Sequence, residues 1–241
     1  STCTVIQNQH LGFGRQPTGD DGLLLIAAAE VAALAVGEYT ISVVATPADA
    51  SAQASDPGTA KLTVAEASTG SGTALAWGAD DFTAVWAGFA NSTGDINAAA
   101  LATMTETADL KKDADGFTYK GLSFLFGGGK FKFGQNNNAD GVKATRFQYG
   151  GTGSTSKQCV SFTVDAPGTL VVEAVSGGDA ARPLAVAVDG TELLTQDTPD
   201  KTQNAAKLTY NCLSASAGSK ITIYSKNSGI NVFSITWTPS K

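Results

Sequence analysis

Few residues in this chain have the type and spacing to do chemistry. The 241 residues include one histidine, His10, so any Ser–His–Asp or Cys–His mechanism would run through that side chain in a short N-terminal segment. A loop histidine is the plainer reading. A glycosidase needs two carboxylates about 5–9 Å apart across a cleft. Asp80 and Asp81 are sequence neighbours and read as a solvated turn. Cys3, Cys159 and Cys212 match no zinc spacing. Cys159 and Cys212 fall in expected strands, where they either join as a disulfide or serve as small buried hydrophobes. No set of residues reads as catalytic.

Two stretches suggest binding instead. Asn136-x-Asn138-x-Asp140-Gly141 has the alternating oxygen donors of the first half of a calcium loop, although Phe147 stands where such a loop carries its bidentate glutamate. The same residues are also common turn formers, and the turn reading is preferred over a structural calcium site. Gly127-Gly128-Gly129-Lys130 lacks phosphate-loop spacing and reads as a flexible turn between strands. Sugar recognition requires an aromatic face and planar polar groups. Candidates are Trp86, Tyr149, Tyr224 and Arg146. Tyr224 alternates with Ile221 and Ile223 and belongs on a solvent face. Tyr149 shares a face with Phe147 and abuts the Gly150-Gly151 loop, and Arg146 lies on the face opposite Phe147. A core or edge role is the bland reading of each aromatic.

The elements that must hold these residues are strands. Hydrophobic residues make up 42% and charged residues 16%, with 27 glycines, a composition of short strands and many turns. The formal charge of −6, with no basic run, argues against nucleic acid or an anionic membrane as partner. The longest apolar run, residues 23–29, is too short for a transmembrane segment, and no signal peptide is visible. Residues 158–177 show the organising pattern. Val160, Phe162 and Val164 alternate with polar partners, Asp165-Ala166-Pro167-Gly168 is a turn, and Leu170, Val172 and Ala174 resume the alternation. This predicts a β-hairpin. Further strands are expected at 121–126, 146–149, 184–188, 207–213, 220–225 and 231–237, with a hairpin turn at Asp189-Gly190. Residues 95–104 are a helix candidate. Strands are expected at 4–9, 23–28, 37–46 and 60–64. The small-residue stretch 67–73 reads as a linker between a first domain, 1–66, and a larger one, 74–241.

Gly22-Leu23-Leu24, the run 37–46 and the run 59–64 resemble the last strands of a bacterial cadherin-like or immunoglobulin-like domain, with Pro47 where a cadherin repeat carries a calcium-binding Asp. In the larger region, Trp77, Asp81-Phe82 and Trp86 are followed by Gly121-Leu122-Ser123-Phe124, then Phe162-Thr163-Val164 and the run 167–174. Arg182-Pro183-Leu184-Ala185-Val186, Asp189-Gly190, Tyr224-Ser225 and Ser228-Gly229-Ile230-Asn231-Val232-Phe233 come next. That order is similar to the β-sandwich accessory domain found beside pectate lyases and on surface proteins of gut-bacterial polysaccharide-utilisation systems. The resemblance implies an all-β chain: a small Ig/cadherin-like sandwich followed by a larger antiparallel jelly-roll β-sandwich, galactose-binding-like. It further implies a secreted or outer-surface protein, with room for a lipid anchor upstream, and a non-catalytic role in binding glycan or placing other cell-surface proteins near it. A structural or adhesive assembly protein is the alternative, and a polysaccharide hydrolase or lyase the third class. The resemblance brings no set of ligand residues.

Overall fold

The structure is a computed structural model that describes residues 37–43, 58–64, 72–89 and 94–240. Cys3, His10, Pro47, the expected strands at 4–9 and 23–28, and residues 67–71 of the expected linker lie outside the described residues. The chain divides into two compact units between Ala67 and Ser68. In the first, β1 (Gly37–Val43) pairs antiparallel with β2 (Gly58–Val64), Gly37 opposite Val64.

The second unit is an antiparallel β-sandwich. One sheet runs in the order β13 (Thr191–Thr198), β12 (Arg182–Val188), β15 (Lys220–Ser225), β10 (Cys159–Thr163), β7 (Leu122–Leu125), β6 (Gly116–Tyr119), β5 (Leu110–Asp113). The other runs β14 (Ala206–Cys212), β11 (Gly168–Ser176), β16 (Ile230–Pro239), β9 (Lys143–Tyr149), β8 (Phe131–Asn137), β4 (Asp95–Ile96), with β3 (Leu75–Trp77) paired to β16. Alternate residues of both sheets point inward and are buried, as the period of two requires. The centre of the core is aromatic. Phe124 stacks on Phe117 at 4.5 Å between centroids and meets Phe131 and Phe147 edge-on at 5.3 and 5.2 Å.

Several expectations are corrected here. β10 and β11 do not form a hairpin: they belong to opposite sheets, and residues 164–167 carry the chain across the sandwich. Alternation reports which face is buried, and it does so correctly for both strands, but it cannot say which sheet a strand joins. Among the described residues the α-helix is α1 (Ala79–Ala87), built on Asp80 and Asp81 rather than on residues 95–104. The Asp81 carboxylate accepts the Gly78 N–H at 3.0 Å, and Phe82 and Val85 bury one face. Residues 95–104 split into β4 and a 3-10 turn (Ala98–Thr103) started by Asn97, whose Oδ1 accepts the Ala100 N–H. At Asp189-Gly190 the hairpin turn is present, with φ of 49° and 83° as a type I′ turn demands.

Candidate functional site

The strands β8 and β9 form a hairpin whose two ends differ. At one end, the β7–β8 loop (126–130), the β9–β10 loop (150–158) and the start of the 3-10 turn surround an open depression of about 580 Å³. Its lining includes Asn97, Lys130, Thr152, Lys157, Gln158 and the glycine pairs 128–129 and 150–151, with no aspartate or glutamate. Gly127 and Gly128 turn the first loop with φ of 53° and 78°. The second loop is pinned by Gly150 N–H to Lys130 O (3.0 Å), Gln158 N–H to Phe126 O (3.2 Å) and Gly153 N–H to Ser225 O (2.7 Å).

Gln158 is the residue around which these loops close. It is 3% exposed, and its backbone is left-handed, φ 45°, a conformation that costs a non-glycine residue about 1–2 kcal/mol. Its Nε2 donates to Lys130 O. A Cβ on Gly129 would sit 2.8 Å from its Cδ, and one on Gly150 would sit 2.6 Å from Lys130 O. Both loops can approach the amide this closely because they lack side chains at those points.

Charge at this end is positive and partly held. Lys130 Nζ lies 2.7 Å from Asp95 Oδ2, and that hydrogen bond keeps the Asp95 carboxyl below its usual range, with help from the charge of Lys132. Lys157 makes no ion pair with any carboxylate among the described residues. The arrangement offers amides, backbone groups and ammonium donors to a polyhydroxylated ligand. It offers no carboxylate pair for acid–base hydrolysis.

The residues singled out from the sequence do not meet there. Tyr149 is fully buried in the core and its hydroxyl donates to Ile223 O at 2.9 Å, so it presents no face to a ligand. Burial raises its pKa well above the ordinary value. The inward side of β9 claims it along with Phe147, while the Gly150-Gly151 loop that it abuts does line the depression. Tyr224 lies on the outward face of its sheet, with Cys159, Ala185 and Ala187, yet is only 6% exposed. Its hydroxyl donates to Glu192 Oε2 at 2.6 Å, and Glu192 also receives Lys226 Nζ at 2.9 Å. Burial first, then Glu192, pushes the phenol up to about 12. Arg146 is on the outward face of β9, as its alternation with Phe147 requires. Nη1 donates to Lys132 O at 2.8 Å, and the guanidinium lies over Gly134, where an added Cβ would stand 3.3 Å from Nη2. Its Nε is buried without a partner, and desolvation lowers its pKa. Trp86 is half-buried on α1, packed on the core beside Thr83 and Ala87. Sequence reading missed Gln158 and Asn97. The available signal is the pair of glycine clusters at 127–129 and 150–153: the first reads as a turn, and the second enters only as the loop beside Tyr149.

At the other end of the hairpin, the calcium-like run is drawn up as a hydrogen-bonded turn. Asn136 sits in β8 opposite Ala144. Asn138 Oδ1 already accepts the N–H groups of Asp140 (3.1 Å) and Val142 (2.9 Å). The loop is tied down by Ala139 N–H to Glu173 Oε1 at 2.8 Å, while Glu173 Oε2 accepts from Ser234. This is an Asx-type turn in which the Asn138 oxygen faces the loop's own backbone. Cys159 and Cys212 are both free and buried, in opposite sheets, which removes the disulfide. Burial pushes each thiol up to about 11.

No family model matches the chain, and no curated protein does. Among solved structures it is similar to a family 35 carbohydrate-binding module from Clostridium thermocellum (20% identity, TM-score 0.34, 46% of this chain and 88% of that one). It is also similar to the C-terminal family 6 module of a laminarinase from Zobellia galactanivorans (17%, 0.31, 44% and 87%). A third similar structure is a family 43 arabinoxylan arabinofuranohydrolase from Bacillus subtilis (11%, 0.36, 49% and 26%).

Proposed function

We propose that the sandwich is a non-catalytic glycan-binding module and that the loop-end depression is where it binds. One observation carries this reading: the depression gathers Asn97, Gln158, Lys130, Lys157 and two glycine pairs without a carboxylate among them. Planar amides and bare backbone suit sugar hydroxyls, and the missing acid pair argues against hydrolysis there. The lining holds no aromatic ring, so recognition rests on hydrogen bonds that compete with water rather than on stacking. That places the expected dissociation constant at about 10 µM to 1 mM. The biological setting we infer is an exported, cell-surface one, in which the module holds glycan or sets partner proteins beside it. Calorimetry of the full chain against pectic, host-mucin and plant-wall glycans tests the reading. Binding that is abolished by Gly150→Ala, which forces a side chain against Lys130 O, supports it. No heat with any of these glycans overturns it.

An assembly role is favoured by a separate observation. Leu193 and Leu194 are 40% and 46% exposed on the edge strand β13, and Leu213, just after the edge strand β14, is 69% exposed. Unpaired edges with apolar side chains are pairing surfaces. Sedimentation equilibrium of the parent and of Leu194→Lys separates the readings: a dimer lost in the variant favours assembly, and a monomer in both removes it.

A further inference from the structure

We propose that Gln158 Oε1 is the acceptor that fixes a ligand hydroxyl in the loop-end depression, which makes Gln158 its specificity-determining residue. This rests on the glycan-binding reading above.

The orientation of the amide is decided by its neighbour. Lys130 O can only accept, so the atom of Gln158 that faces it is Nε2, and Oε1 is the other end. Oε1 makes no hydrogen bond to any described residue, although the side chain is almost wholly buried and lines the depression. Oε1 is not among the sealed-off side-chain atoms of the described residues, so it opens to the solvent of the depression, where a ligand hydroxyl can donate to it. The approach to Oε1 is kept clear by glycine. A Cβ on Gly151 would lie 3.2 Å from Oε1 and within 4 Å of nothing else, and a Cβ on Gly129 would lie 3.1 Å from it. The amide cannot swing aside, because Nε2 is held by Lys130 O and the left-handed backbone fixes its root. A fixed acceptor takes an O–H or N–H donor and repels an ether or carboxylate oxygen in the same place. The ligand must therefore present a free hydroxyl there.

The test uses the full chain and the methyl glycosides of glucose, galactose and xylose, followed by NMR. The backbone amides of Gly129, Gly150 and Gly151 and the side-chain amide of Gln158 are expected to shift together. Gln158→Met removes the acceptor at similar volume and should weaken the best glycoside about tenfold. Gly151→Ala, whose new methyl crowds Oε1 alone, should weaken it as well while its thermal midpoint stays near the parent's. If the glycine amides shift and the Gln158 side chain does not, or if a folded Gly151→Ala binds like the parent, the inference is overturned and the glycan reading stands. If no glycoside moves the amides of the depression, both are overturned. Should Gln158→Met fail to fold, the parent's side-chain resonances and Gly151→Ala decide the matter without it.

Discussion

The two ends of the β8–β9 hairpin are both loops of turn-forming residues, Asn, Asp and Gly at one end and clustered Gly at the other, and they differ in hydrogen-bond state. At the 138–142 end the acceptors that hold the turn are used inside the protein: Asn138 Oδ1 takes two backbone N–H groups, and Glu173 takes a third. At the 126–130 and 150–158 end, the loops close around one amide and leave its oxygen open beside a depression. Both ends are built from turn-forming residues, and that chemistry alone does not tell them apart. What differs is whether the acceptors are consumed internally.

Four experiments would break or sharpen that contrast. The largest effect is expected beneath both ends. Phe124 touches Phe117, Phe131, Phe133 and Phe147, so Phe124→Ala should cost about 3–5 kcal/mol in chemical denaturation and weaken glycan binding with it. A smaller loss would mean that the ends are not braced by a common core. Next, Glu173→Ala leaves the Ala139 N–H without its acceptor and should cost about 1–3 kcal/mol in the same assay. Glycan affinity measured by calorimetry should not change, and a large drop in it would show that the ends are coupled. Third, Lys157→Ala should weaken an acidic glycan about 2- to 5-fold at low salt and leave a neutral one unchanged, because its exposed ammonium acts only through screened attraction. The smallest effect is the pH response of the open end. The folded pKa of Asp95 lies below its ordinary 3.8, so its grip on Lys130 is fully present above that value and is lost as pH falls through the lowered one. NMR at decreasing pH should therefore show the Lys130 and Gly129 amides moving below pH 3.8.

Much of the sandwich could be read from alternation, because burial on one face leaves a period of two at Leu122–Phe126 and Arg146–Tyr149. The Asp189-Gly190 turn was legible for the same local reason. The pairing of β10 and β11 was not, since membership of a sheet is a non-local property. Helix α1 was hidden because Asp80-Asp81 looks like a turn until one sees that Asp81 caps Gly78. The site was the least legible part. Arg146 and Tyr149 lead to the 150–151 loop that lines the depression, but Tyr149 faces the core, and Gln158 draws its interest from four glycines that lie near it only in space.

One feature of the sheet order bears on how the molecule is made. β16, residues 230–239, is the last strand in the described chain, and it lies between β11 and β9 in the middle of its sheet. It also receives β3, with Trp77 opposite Ile235. On a ribosome, a nascent chain that has emerged only as far as residue 229 holds two half-sheets with facing, unfilled edges. The inward side chains of β9 and β11 then stay exposed to other unfinished chains. The sheet closes in one late step, and that step joins segments more than a hundred and fifty residues apart in sequence. Synthesis of this sandwich should therefore depend on chaperones that shield strand edges, and its folding should complete only after β16 has cleared the exit tunnel.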